Sequence, residues 1–186
     1  MTEMTMLWLP ILLSAIAVFV ASSIIHMASP WHKDDYPRVP DEDALRAAVG
    51  PLHIPPGDYM VPRPEVRADM GTPEFKEKVD KGPNLILTVL PNGPWTMSRN
   101  LTLWFLYTIA VSAFAACAAA LTQAHGGDDH AVFHIVALTA FVGHAVALWQ
   151  MSIWYRRAWS TTIKATVDGA IYALLTAFIF VWLWPK

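Results

Sequence analysis

Four apolar runs of about 20 residues constrain most strongly how this chain can fold. They cover Leu7–Met27, Leu101–Leu121, Ala131–Trp154 and Ala165–Trp184. Each run is long enough to cross about 30 Å of hydrocarbon as a helix, and lipid offers no other partner for backbone polar groups. We therefore predict a mostly α protein built on a bundle of four transmembrane helices.

Composition also favours a membrane protein over a soluble one. Charged residues make up 15% of the chain, against about 25% in soluble domains, and the mean hydropathy is +0.37. The formal net charge of −2 excludes a strongly basic surface, so a nucleic-acid partner is not expected. We expect the lipid bilayer as a partner, together with other membrane proteins or further copies of this chain.

The positions of Lys and Arg predict how the helices cross the membrane. The loop between the last two runs carries Arg156, Arg157 and Lys164, whereas the loop "QAHGGDDH" between the second and third runs carries none. Short loops with an excess of positive charge lie in the cytoplasm. Alternation then places both termini outside and residues 29–98 in the cytoplasm.

The segment between the first two helices is predicted to be a small cytoplasmic α+β insert. All but two of the fourteen prolines lie in it, which favours turns and short elements. Short helices are predicted after Asp41 and after Thr72, each of which suits an N-cap, and strands at "GDYMVP" and "NLILTVL". The predicted organisation is helix one at 1–28, the insert at 29–98 and helices two to four at 99–186.

The turn "HGGDDHAVFH" before the third helix holds the densest set of potential metal ligands. They are His125, Asp128, Asp129, His130 and His134. Imidazoles and carboxylates at this spacing suit Zn²⁺ or another divalent ion. The alternative is a solvated turn in which Asp128 or Asp129 caps the third helix. We favour the solvated turn, because no zinc motif such as HExxH is present.

His144 is an ionisable residue inside the third helix, surrounded at helical spacing by small residues that favour helix packing. Tyr107 and Tyr172 fall at about the same depth on the second and fourth helices. We expect a hydrogen-bonded His–Tyr cluster, and the alternative is a proton relay. A haem held by His26 and His144 is not expected, because the two are predicted to lie at different depths.

Asp168 is the only acid within the fourth helix, near its start. Lys164 lies four residues earlier, and Arg156 and Arg157 share the same membrane face. We predict that Asp168 pairs with one of these bases, with added support from the helix dipole. The alternative is an ion path in the bundle.

The stretch "IIHMASPWHKDDYPRVP" marks the end of the first helix. Its polar and aromatic members are His26, Trp31, His32, Asp34 and Asp35. We interpret Trp31 as an interfacial anchor and Asp34 or Asp35 as a cap for the next turn. A local site that uses the two histidines is the alternative.

The strings "HMASPWHKDDY", "PDEDALRAAV", "PPGDYMVPRP" and "NGPWTMSRNLTLWFLY" give the chain a wider likeness. It resembles a family of small bacterial four-span membrane proteins that has no assigned activity. The resemblance covers nearly the whole chain and implies a complete protein of a bacterial inner membrane. It carries over no cofactor and no catalytic residue.

The sequence contains no nucleotide-binding loop, nucleophile elbow or intramembrane protease pair. We therefore assign no catalytic residue and do not expect an enzyme. The predicted function is a non-catalytic subunit or assembly factor of a membrane complex. The alternative is a metal- or proton-handling membrane protein, using the His/Asp turn or His144 with Asp168, and its cofactor would be a divalent metal.

Overall fold

The structure is a computed structural model that describes residues 4–94, 96–123 and 126–186. The chain forms two compact units. The first consists of Met1–Pro37 and Thr96–Lys186, and it contains the four long helical regions. The second is Arg38–Trp95.

Helices dominate the chain, with two short strands between the first and second long helical regions. In chain order the elements are α1 (Trp8–Ser23), α2 (Glu42–Val49), β1 (Gly57–Val61), α3 (Pro73–Lys81), β2 (Leu85–Val89), α4 (Ser98–Thr122), α5 (Asp129–His144), α6 (Trp149–Tyr155) and α7 (Trp159–Leu183). Four stretches are long and apolar enough to cross a membrane, namely Trp8–Ala28, Ser98–Thr122, Asp129–Tyr155 and Trp159–Leu183. The predicted fold class is confirmed.

Small side chains allow the helices of the first unit to approach closely. Ala115, Ala116 and Ala119 of α4 are fully buried in a cluster that also contains Val136 of α5 and Phe180 of α7. Without a hydrophobic force between helices in lipid, such packing is what holds a membrane bundle together. The core of the bundle is therefore formed by small alanines together with a few larger apolar side chains such as Val136 and Phe180.

A hydrogen bond between side chains also joins two of these helices. The Ser14 hydroxyl of α1 donates to the Ser112 hydroxyl of α4 at 3.1 Å, and both residues are buried. Interhelical bonds of this kind satisfy polar groups that lipid cannot.

The first long helix departs from α geometry at its end. Ile24–Ala28 is π-helical, and the Ser29 amide donates to the Ile24 carbonyl at 3.0 Å. A π-turn holds one more residue than an α-turn and is frequent at functional sites. His26 lies within this π-helical segment.

The sequence predicts one continuous helix for the third apolar run, and the structure corrects this prediction. A 3₁₀ turn at Val146–Leu148 separates α5 from α6. Gly169 of α7 packs against this break, since a Cβ added at Gly169 would lie 2.7 Å from the Ala145 Cβ. The fourth long helix therefore packs closely against the third at the point where the third is interrupted.

The second unit contains the predicted short elements. β1 and β2 pair antiparallel, from Gly57 opposite Val89 to Val61 opposite Leu85. The Asp41 carboxylate caps α2, and the Thr72 hydroxyl caps α3, as predicted. No described residue between 38 and 94 is buried.

Candidate metal site and adjoining cleft

Three potential metal ligands converge at one end of the bundle. His26 belongs to the π-helical segment, His32 to the turn that follows it, and Asp168 to α7. One ligand atom from each lies within 4.8 Å of the other two. Two imidazoles and a carboxylate form a ligand set for Zn²⁺ or Fe²⁺.

His32 lies between two carboxylates. Its Nδ1 is 2.7 Å from Asp35 Oδ2, and its Nε2 is 2.8 Å from Asp168 Oδ2. Metal-binding imidazoles commonly donate their second ring N–H to a carboxylate, which fixes the tautomer and the ring orientation. Asp35 can serve this purpose, and it leaves Nε2 of His32 directed at Asp168.

Asp35 is held in turn by Lys164. The Lys164 ammonium donates to Asp35 Oδ1 at 2.8 Å. Burial raises the pKa of the Asp35 carboxyl, but the hydrogen bonds and charges of Lys164 and His32 together hold that pKa below its usual value. Asp35 is therefore ionised at neutral pH and suited to accept a hydrogen bond from His32.

Asp168 is buried, and each of its oxygens has a partner. The Trp31 indole N–H donates to Oδ1 at 3.1 Å, and Oδ2 faces His32. The prediction that Asp168 pairs with Lys164, Arg156 or Arg157 is wrong for the described residues, because its carboxylate faces His32 and Trp31 and Lys164 contacts Asp35 instead. Trp31 likewise has a specific polar contact beyond its expected place at the interface.

The expected cap by Asp34 or Asp35 also needs correction. The Asp35 carboxylate is engaged by His32 and Lys164 rather than by the following turn. Asp34 is exposed. The two neighbouring acids therefore have different surroundings.

The rings of His26 and His32 are in contact. Their centroids are 4.2 Å apart, with an angle of 68° between the ring planes. Their approach depends on the π-helical segment, because each helical residue turns the chain by about 100° and one residue more or fewer redirects all that follow. No residue in "IIHMA" signals this segment in the sequence.

The three side chains would have to move to hold a metal ion, since their ligand atoms lie up to 4.8 Å apart. Bonds of about 2.0–2.2 Å in tetrahedral geometry separate neighbouring ligand atoms by roughly 3.4 Å. The 2.8 Å contact between His32 Nε2 and Asp168 Oδ2 would therefore open by roughly half an ångström. Three protein ligands leave a fourth position for water or another ligand.

A cleft of about 670 Å³ adjoins this site, and His26 and Asp168 form part of its lining. Trp104, Tyr107 and Arg157 are also among the lining residues. The cleft is lined by residues of α4, α5 and α7 and of the turns on either side of α6, so a molecule bound there would lie beside the ligand atoms of the candidate metal site.

His144 also lines the cleft, between two tyrosines. Its ring centroid is 5.6 Å from that of Tyr107 and 5.4 Å from that of Tyr172. The Tyr107 hydroxyl donates to the Gly143 carbonyl. His144 Nδ1 and the Tyr172 hydroxyl are buried, and neither has a hydrogen-bond partner in the part of the chain that the structure describes. The three rings share a layer as expected, but the expected hydrogen-bonded cluster is not formed.

His26 and His144 line the same cleft. The sequence predicts that they lie at different depths, and the structure brings both to the lining of this one cleft. The π-helical end of the first long helix and the break after His144 both shift residues from the positions that straight α-helices would give them.

The loop before α5 uses its acids for local structure. The Asp128 carboxylate accepts from the backbone amides of His130 and Ala131 at 3.3 and 3.2 Å, which makes it the N-cap of α5. Asp129 forms an exposed ion pair with Lys186 at 2.6 Å. These contacts are those of a solvated turn with a capping residue.

The histidines of this loop have no common centre in the part of the chain that the structure describes. His134 Nδ1 lies 2.6 Å from the His130 carbonyl within one helical turn. His125 lies outside the described residues. Among those described, His26, His32 and Asp168 are the group of three ligands that comes together.

The fold and the site define a helical protein with four potential membrane spans and a candidate metal site beside a cleft. Comparison with protein-family models, with curated proteins and with solved structures gives no match for this chain. The resemblance to a family of small bacterial membrane proteins stays a prediction.

Proposed function

We propose that this membrane protein binds a divalent metal ion through His26, His32 and Asp168. The convergence of these ligand atoms within 4.8 Å is the observation that carries the proposal. Asp35 behind His32 provides the carboxylate that metal-bound imidazoles commonly have. Two nitrogen ligands and one oxygen ligand favour Zn²⁺, with Fe²⁺ as the second choice.

The open position supports an active metal rather than a structural one. Structural zinc sites are closed by four protein ligands, whereas three ligands leave room for water or a bound molecule. His26 and Asp168 also line the cleft, so that position is within reach of a molecule in it. The ion would supply Lewis acidity there.

The membrane orientation is part of the proposal. Arg156, Arg157 and Lys164 support a cytoplasmic location for this end of the bundle in a bacterial inner membrane, with both termini outside. A single cysteine at Ala158 in a Cys117→Ser background tests it. We expect an impermeant thiol reagent to label this cysteine only after the inner membrane is opened. Labelling from outside in intact cells would show that the orientation is the opposite of the one proposed.

Metal analysis of the detergent-purified chain tests the metal site directly. We expect about one zinc or iron per chain, and loss of most of it in His32→Ala and Asp168→Asn. His130→Ala and His134→Ala are the matched controls, and they should keep the metal. A chain that takes up no metal, or that loses it in His130→Ala while keeping it in His32→Ala, would disprove the proposed site.

Gel filtration separates loss of metal from loss of fold in these variants. Each variant should elute at the volume of the unaltered protein. If a variant elutes at a different volume, His26→Gln is used in its place. His26 is the exposed ligand of the three, so its replacement should disturb the fold least.

A second candidate function is that of a subunit or assembly factor in a membrane complex. It is favoured by the second unit, where no described residue is buried and Met60 and Ile86 are exposed. A two-stranded sheet alone is only marginally stable, so a partner that covers it would stabilise the unit. Cross-linking in native membranes should then join this unit to a larger protein, and a single uncross-linked chain would count against it.

A further inference from the structure

We infer that the cleft beside the metal site binds an anionic amphiphile, a molecule with a carboxylate or phosphate head group and an apolar chain. The inference rests on the proposed metal site, because the bound ion determines the charge of the cleft. It adds the chemical class of the ligand.

The lining and rim of the cleft suit a ligand that comes from the bilayer. Leu103 and Tyr107 are 52% and 40% exposed and lie in a stretch that is apolar enough to cross the membrane. Leu148 and Trp104 add further apolar surface. A volume of about 670 Å³ lies in the range of small-ligand sites, so a head group and the first part of a chain can be accommodated.

Two buried polar atoms in the cleft have no hydrogen-bond partner among the described residues. They are His144 Nδ1 and the Tyr172 hydroxyl, on residues that are 7% and 3% exposed. A buried polar group without a hydrogen bond is unfavourable, so such atoms indicate a missing partner. Imidazole N–H and phenol O–H can both donate to an oxygen acceptor.

The charge balance selects an anionic head group. The two positive charges of a divalent ion would outweigh the single negative charge of Asp168 and leave a net positive charge at the site. Arg157 also lines the cleft, and in the described ranges it forms no ion pair, whereas Lys164 is neutralised by Asp35. The polar end of the cleft is then positive, which favours a carboxylate or phosphate.

The turn after α6 brings Arg157, and not its neighbour, to the cleft. Arg156 adopts a left-handed conformation with a φ of 58°, and the Arg157 amide donates to the Met151 carbonyl at 3.1 Å. Arg157 is partly buried and lines the cleft, while Arg156 is exposed. The two arginines therefore form a matched pair for an experiment.

The test measures quenching of tryptophan fluorescence by a brominated fatty acid in zwitterionic nanodiscs that hold the zinc-loaded protein. Trp104 lines the cleft, and Trp104→Phe identifies its share of the signal. The methyl ester of the same acid is the neutral control. Brominated phosphatidylglycerol distinguishes a phospholipid phosphate from a free carboxylate as the head group.

We expect the acid or the anionic phospholipid to bind at least about tenfold more tightly than the ester. Arg157→Gln and removal of zinc should each weaken binding by about tenfold, and Arg156→Gln should stay within about twofold. Tyr172→Phe should weaken it severalfold.

Equal binding of acid, phospholipid and ester would overturn the inference, as would equal effects of the two arginine variants. A chain that binds zinc but neither anionic probe overturns this inference and leaves the metal site intact. A chain that takes up no zinc overturns both. Metal analysis of the same sample distinguishes these results.

Discussion

His32 Nε2 lies 2.8 Å from Asp168 Oδ2, although 136 residues separate the two in the chain. The contact joins the turn after the first long helix to the fourth. Trp31 strengthens the same connection through its hydrogen bond to the other oxygen of Asp168. The first and the last of the four long helical regions are therefore joined at the candidate metal site.

Asp35→Asn should weaken zinc binding without abolishing it. The amide cannot stabilise the His32 imidazole as a carboxylate does, and changes of this kind lower metal affinity by about 10- to 100-fold. Competition with a chelator measures the affinity, and one zinc per chain should still bind at saturation. The exposed neighbour gives the control, since Asp34→Asn should change affinity by less than about twofold. Equal effects at the two positions would contradict the proposed role of Asp35.

Gly169→Ala should destabilise the bundle. The new methyl group would lie 2.7 Å from the Ala145 Cβ, and overpacking of this kind costs about 1–3 kcal/mol. Adding Ala145→Gly should restore most of the loss, because it removes the atom that is closest. Unfolding in detergent monitored by circular dichroism gives both values. If the changes in the free energy of unfolding of the two single variants simply add in the double variant, the contact between Gly169 and Ala145 does not limit the packing.

Tyr172→Phe should raise the free energy of unfolding of the ligand-free protein by up to about 1 kcal/mol, because it removes a buried hydroxyl without a partner. Tyr107→Phe is the matched comparison. It should lower the free energy of unfolding by about 1 kcal/mol, because it removes the bond to the Gly143 carbonyl. The two variants should therefore shift the thermal midpoint in opposite directions, and a shift of the same sign would be evidence against this assignment of partners.

Deletion of Met27 should abolish metal binding and leave the bundle folded. It removes one residue from the π-helical segment, which should return to α geometry and redirect His32 away from His26. Met27 is 67% exposed, so Met27→Ala should keep about one metal per chain. Metal analysis together with the helical signal checks both variants. Full metal content in the deletion variant would mean that the π-turn is not needed.

Most of the local structure could be predicted from the sequence. Asp41 and Thr72 cap their helices, and the two strands of the second unit lie within the predicted segments. These features depend on residues a few positions apart. The four apolar helical regions were equally accessible, because length and hydropathy suffice to find them.

The candidate site could be predicted only in pieces. His26, His32 and Asp168 were each singled out, but spacing along one helix favoured Lys164 as the partner of Asp168. The observed partners come from elsewhere in the chain and depend on how each helix is rotated in the bundle. The π-helical segment contains no glycine or proline, and the only such residue near the break at Ala145 is Gly143, two positions earlier, so the local signal for either feature is weak.

The π-helical segment has a consequence for recognising related proteins. The extra residue of the π-turn sets the number of residues between His26 and His32. A deletion of one residue there would disturb the metal ligands more than many substitutions elsewhere. The spacing His-x₅-His-x₂-Asp at the end of an apolar run, followed by an aspartate in a distant apolar helix, is therefore the pattern that related metal-binding chains are expected to keep. Chains that differ everywhere else but keep these intervals are the first in which to test for the proposed metal site.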